Sequence, residues 1–178
     1  MFKSKYRRKF FDHRYIPHEK RQLQVMACIF FGSLLLAVLT KDYVLGAVQI
    51  QGQSMYPTLQ NNERHLFHRW PYLFNDPERN QLVVFKDPRD GTQEVKRVIG
   101  MPGETAQIRD GHVFLNGKQV SEPYIAEAFT ESPRFAREEL TIPAGHYFLL
   151  GDNRGASYDS RHVGTVKRRL ILGRIFES

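Results

Sequence analysis

Two kinds of hydrophobic pattern divide the chain. From Gln22 to Thr40 there are 19 residues without a charge, bounded by Arg21 and Lys41. As a helix this run spans roughly 28 Å at 1.5 Å per residue, about one hydrocarbon core. Its apolar residues lie on all sides, which fits lipid better than the one-sided stripe of a soluble core helix. It closes in Val38-Leu39-Thr40-Lys41-Asp42, with no small-x-small step for a leader to be cut, so an uncleaved anchor is predicted. Beyond Asp42 the pattern shortens. The stretches 44–50, 81–85, 94–99, 112–116, 146–150 and 170–176 are apolar or alternating and read as strands. Between Gln107 and Val120, Asp110-Gly111 and Asn116-Gly117 suit the tight turns of a small meander. The segment 121–139, bounded by Pro123 and Pro143, reads as an inserted flap, and Glu122–Ala136 offers one short helix at most. The aromatic run 65–74 has two readings, a core strand with a Pro turn or an interfacial patch. The expected fold class is mainly β, an antiparallel domain behind one N-terminal transmembrane helix.

Charge changes the picture once it is located. The chain has 178 residues, with 26 Lys+Arg against 19 Asp+Glu and a net charge of +7. Residues 1–21 carry eight basic groups (Lys3, Lys5, Arg7, Arg8, Lys9, Arg14, Lys20, Arg21) and two acids (Asp12, Glu19), a net +6. The other 157 residues are nearly neutral, at +1. The basic excess belongs to a tail. The tail is predicted to be cytoplasmic because Lys and Arg concentrate before the span. Expected organisation is therefore a tail at 1–21, an anchor at 22–40 and an extracytoplasmic domain at 41–178. Aromatics in the tail (Phe2, Tyr6, Phe10, Phe11, Tyr15) are compatible with nucleic-acid binding. Anionic headgroups beside an anchor account for them without a further partner. Lipid is thus the expected partner and nucleic acid is not. One cysteine, Cys28, excludes an intramolecular disulfide framework.

Candidate chemistry is sparse. The seven histidines are scattered, and no metal-ligand spacing or Gly-rich phosphate loop appears. No metal or cofactor is expected. Three segments are more informative. In Gly52-Gln53-Ser54-Met55-Tyr56-Pro57 a strand runs into a turn that can expose a hydroxyl, or be an ordinary turn. In Glu94-Val95-Lys96-Arg97-Val98-Ile99-Gly100, alternation puts Lys96, Val98 and Gly100 on one face. An inward lysine loses water, which disfavours the ammonium and frees a neutral amine to act as a base. A solvated edge lysine is the other reading. The third segment, 151–161, opens in Gly151-Asp152-Asn153 and ends in short polar groups with Arg161.

Together SMYPTL around Ser54, VKRVIGMPGE around Lys96 and GDNRGASYDSRHVG near the C-terminus resemble type I signal peptidases, membrane-bound serine proteases with a Ser–Lys dyad. The resemblance covers the anchor and nearly all of the domain, and is nearest the single-span Gram-positive form. It implies Ser54 as nucleophile, Lys96 as general base and Ser157 as the hydroxyl that orients the amine. It also implies a supporting ion pair of Asp159 with Arg161. Shallow apolar pockets would be lined by Val48, Ile50, Met55, Leu59 and Val95. The implied substrates are signal peptides of exported preproteins, cut after small-x-small sequences at the bacterial cell membrane. Two positions depart from the pattern: Gly52 stands where some members carry an oxyanion serine, and Asn80-Gln81 where Gly-Asp is frequent. Two other functions stay open at this point: a specialised Ser–Lys maturation peptidase, and a non-catalytic peptide-binding membrane protein on the same fold.

Overall fold

A computed structural model describes residues 18–125 and 138–176. Most of the basic tail and of the predicted flap, with its short helix, lie outside the described residues. The chain divides into two units, Met1–Lys41 and Asp42–Ser178.

The first unit is built on helix α1 (His18–Val44), which outruns the uncharged stretch at both ends. Leu23, Met26, Ile29, Phe31, Leu35 and Leu39 are all exposed among the described residues, on every side of the helix. Its polar members satisfy themselves locally. Ser33 Oγ donates to Phe30 O at 2.9 Å and Thr40 Oγ1 to Leu36 O at 2.7 Å, as a lipid environment requires. Glu19–Lys41 is long and apolar enough to cross a membrane.

The second unit holds eleven strands among its described residues. They are β1 (Leu45–Gln49), β2 (Arg64–His68), β3 (Leu82–Lys86), β4 (Gln93–Gly100), β5 (Thr105–Arg109), β6 (His112–Leu115), β7 (Lys118–Gln119), β8 (Leu140–Thr141), β9 (His146–Leu150), β10 (Val166–Lys167) and β11 (Ile171–Ile175). Seven form a sheet in the order β1-β2-β11-β3-β4-β9-β10, and four a second sheet, β7-β6-β5-β8. Every pairing is antiparallel. The predicted meander is β5-β6-β7. Its turns carry positive φ at Asp110 (52°), Gly111 (77°), Asn116 (50°) and Gly117 (76°), the backbone that twisted two-residue hairpins demand. The first half of the aromatic run is β2, with Phe67 fully buried, and Trp70–Leu73 is a short 3-10 helix. Trp70, Leu73 and Phe74 are exposed there.

Three apolar clusters follow from strand alternation. Val48 and Ile50 meet Phe67, Leu82, Val84, Val95 and Ile175 in one of them. Strands β1 and β4 thus share a core although β2, β11 and β3 lie between them in the sheet. The sheet must curl around that cluster, and the curl brings the β1–β2 connection back to β4. A second cluster (Ile99, Ile108, Val113, Ile142, Phe148) joins the small sheet to β4 and β9. The opposite face of β3, β4 and β9 packs Val83, Phe85, Val98, Tyr147 and Leu149.

Candidate active site

Ser54 lies in the β1–β2 connection, half-buried beside Met55, whose side chain is 1% exposed and anchors the turn in the first core. The turn is held by Tyr56 N donating to Gln53 O at 3.1 Å and Leu59 N to Met55 O at 2.9 Å. Asn153 N donates to the Ser54 carbonyl at 3.0 Å. The Gly151-Asp152-Asn153 turn is therefore packed onto the serine's own backbone.

Lys96 projects from β4. Its pairing with β3 continues through Val83, while β9 joins β4 only from Arg97 onward. Among the described residues, Gln93–Lys96 thus forms an open sheet edge on that side. Lys96 is only 3% exposed, and its Nζ donates to Ser54 Oγ at 3.2 Å. A second bond runs from Nζ to Glu94 Oε2 at 2.9 Å. Both residues line a cleft of about 340 Å³ whose apolar wall is Val48, Ile50, Met55 and Val95. A buried base touching a serine hydroxyl beside an apolar groove can support acyl transfer from a peptide.

The other expected site residues divide. Leu59 is buried in the same core but lines a different cavity, with Thr58, His65 and Tyr124. The reason is the turn, which carries Leu59 four residues past Met55 and away from the groove. Ser157 is buried, but among the described residues its hydroxyl makes no bond to the Lys96 amine, whose second bond goes to Glu94. Asp159 and Arg161 form a buried pair at 2.8 Å. Burial pushes the Asp159 carboxyl up, but bonds from Arg161 and from Gly151 N–H outweigh it and hold the group below its ordinary range.

Sequence reasoning passed over several functional neighbours. Glu94 shares the face of Lys96 by simple alternation, so the signal was there in the spacing. Arg89, in the β3–β4 turn, grips Asp87 through two bonds at 3.0 Å and reaches Glu94 Oε1 at 3.6 Å. That grip, ahead of burial in the other direction, keeps the Asp87 carboxyl below its usual range. No group of three or more metal-binding side chains occurs among the described residues.

Comparison with known proteins points the same way as the geometry. The family described as signal peptidase, peptidase S26, matches residues 23–177. The chain is 38% identical over 151 residues to a probable signal peptidase I-2 of Synechocystis sp., covering 81% of this chain and 67% of that one. It is 36% identical over 156 residues to signal peptidase I V of Bacillus subtilis, covering 82% and 92%. A crystal structure of a signal peptidase I from Enterococcus faecalis V583 aligns with a TM-score of 0.51 at 37% identity, covering 57% of this chain and 98% of that one.

Proposed function

This chain belongs to the signal peptidase family, peptidase S26, and is a membrane-anchored serine peptidase that cleaves signal peptides; we propose that it does so with Ser54 as nucleophile and Lys96 as general base. The observation that carries the assignment is the 3.2 Å contact between Ser54 Oγ and Lys96 Nζ, with the lysine almost wholly out of water. A serine hydroxyl attacks a peptide carbonyl only if its proton is taken as the bond forms, and a neutral amine at this distance can take it. The proton then goes to the departing amine, and water repeats the sequence on the acyl-enzyme. The Ser54 backbone N–H serves as one donor to the oxyanion, since Gly52 brings no hydroxyl to the turn.

An extended precursor would lie along the open edge at Gln93–Lys96, its main chain adding as a strand. Val48, Ile50, Met55 and Val95 then meet the side chains before the cut, which favours small residues there. The basic tail lies in the cytoplasm and the peptidase unit beyond the bacterial cell membrane, an orientation supported by the +6 tail against a near-neutral remainder.

Processing of several unrelated labelled precursors by wild type, Ser54→Ala and Lys96→Ala tests the dyad. Both variants should fold and lose turnover by about 10⁴-fold or more. Undiminished processing by either one would sink the assignment, and wild-type activity on one precursor alone would point to a specialised maturation peptidase.

A further inference from the structure

The amine of Lys96 has a second partner that the dyad does not need. Glu94 sits two residues earlier on β4, on the same face, with its side chain 27% exposed. One carboxylate oxygen accepts from Nζ at 2.9 Å, and the other is 3.6 Å from Arg89 Nη2. Arg89 in turn holds Asp87, and its guanidinium lies 4.1 Å over the Tyr158 ring. Asp87, Arg89, Glu94 and Lys96 therefore form one connected series, in which Glu94 also hydrogen-bonds the Asp87 carboxyl. With the lysine as an ammonium the series is neutral. With the lysine as a free amine it carries one negative charge.

Other groups around the amine do not cancel this. Asp90, from the β3–β4 turn, spends its carboxylate on Thr92 N and Oγ1 at 2.9 and 2.7 Å. Tyr158 faces Arg89, and Asp159 is paired with Arg161. Ser54 and Ser157 are uncharged hydroxyls. An ammonium has three donors and no acceptor, so Lys96 in that form offers Ser54 a proton and cannot take one.

We infer that Glu94 is a positioning residue that sets the proton load of the dyad, holding Lys96 as an ammonium in the empty cleft and releasing it as the carboxylate turns to Arg89. The inference rests on Lys96 being the general base. Arg89 is the alternative cation that lets Glu94 stay charged and partnered once the amine has given its proton to water. Glu94 thereby tunes the lower edge of the working pH range through Lys96.

The test is the pH profile of kcat/KM for the full chain in detergent, measured on a small-x-small fluorogenic peptide, because that profile reports the empty enzyme. Removing an opposite charge at this range moves a proton equilibrium by about 1–3 pH units. Glu94→Gln should therefore shift the acid limb down by about that much. One unit below the wild-type limb, the variant should be roughly tenfold more active than wild type. Glu94→Asp should return the limb toward its original place, and Arg89→Gln, which removes the competing cation, should move it up. A limb that stays put or rises in Glu94→Gln overturns the inference, even if the rate falls at every pH. Lys96→Ala separates the two readings. An active Lys96→Ala variant removes the dyad itself, whereas an inactive one beside an unmoved Glu94→Gln limb removes only the role of Glu94.

Discussion

Replacing Gly151 with alanine puts a single methyl group against the backbone of Ser54. A Cβ built there lies 2.5 Å from the Ser54 carbonyl oxygen, 2.5 Å from Ser157 Cβ and closer still to Ser157 Oγ. Rotating the serine side chain relieves only the last of these. Ordinary contact begins near 3.4 Å, so the gap to the Ser54 carbonyl must open by about 0.9 Å, from 2.5 to 3.4 Å. Overpacking of this kind costs about 1–3 kcal/mol. For a chain of this size each kcal/mol lowers the melting midpoint by about 2–4 °C. The functional loss should be larger, because a displacement near 1 Å of a reacting group lowers the rate by about 100-fold. The same shift would break the 3.2 Å bond to Lys96. The assay is precursor processing under single-turnover conditions, paired with a melting curve of the same preparation. A Gly151→Ala enzyme that melts about 2–12 °C below wild type but turns over about 100-fold more slowly fits the reasoning. Wild-type turnover in a folded variant would refute it, because the contact would then be absorbed without moving Ser54.

Two further outcomes follow from the charges. The Asp159 carboxyl is held below its unfolded range, so its stabilisation is fully present above about pH 4 and is lost as pH falls through its folded value. Asp159→Asn should cost about 3–5 kcal/mol near neutrality, by removing the carboxylate from a buried pair. In urea titrations the gap to wild type should narrow below about pH 4, and a constant gap from neutral to acid would show that the pairing is not what stabilises. For the membrane, inverted vesicles should shield the 41–178 unit from added protease while the tail is trimmed. In the same vesicles Trp70, the chain's one tryptophan, reports on lipid directly. Exposed with Leu73 and Phe74, it should be quenched by lipids brominated near the headgroup. Digestion of the unit from the cytoplasmic face would reverse the orientation, and quenching by aqueous iodide alone would remove the lipid contact.

What was legible in the chain was whatever is encoded locally. Short apolar or alternating stretches marked β1, β3, β4, β9 and β11 to within a residue or two, and Asp-Gly and Asn-Gly marked the meander's turns because few other residues tolerate that backbone. Asn80 is a similar case, with φ of 68° at a position where glycine is frequent in the resembling family. The two-residue strands β8 and β10 were not legible, since nothing in Leu140–Thr141 or Val166–Lys167 alternates long enough to show a period. Their partners define them. The insertion of β11 between β2 and β3 is equally silent, because it is a pairing across about a hundred residues. At the site, Ser54 and Lys96 came from the resemblance of SMYPTL and VKRVIGMPGE to type I signal peptidases. The place of Leu59 depended on how the turn winds after Met55, and Glu94 was overlooked because a carboxylate two residues from a lysine usually meets only water.

Holding Ser54 and Lys96 together falls to a polar network built around Arg97 of β4. Arg97, next to Lys96 but on the opposite face, donates to Asp152 at 2.9 and 2.6 Å and to Asn80 O at 2.8 Å. Asp152 also accepts from Thr58 Oγ1 at 2.5 Å. The network therefore ties β4, the turn that carries Gly151, and the segment that carries Ser54. Apolar cores tolerate small slides of one segment on another, and the first cluster alone would allow Ser54 to drift along β4. A bidentate guanidinium–carboxylate bond tolerates much less, because two parallel bonds set both distance and angle. Burying such a pair contributes little net stability after desolvation. Its effect is registry between segments 42 residues apart at their reacting atoms. Neighbouring cations on one strand are thus divided by face. Arg97 locks the frame, and Lys96 is left to face Ser54, where the proposed mechanism needs a base.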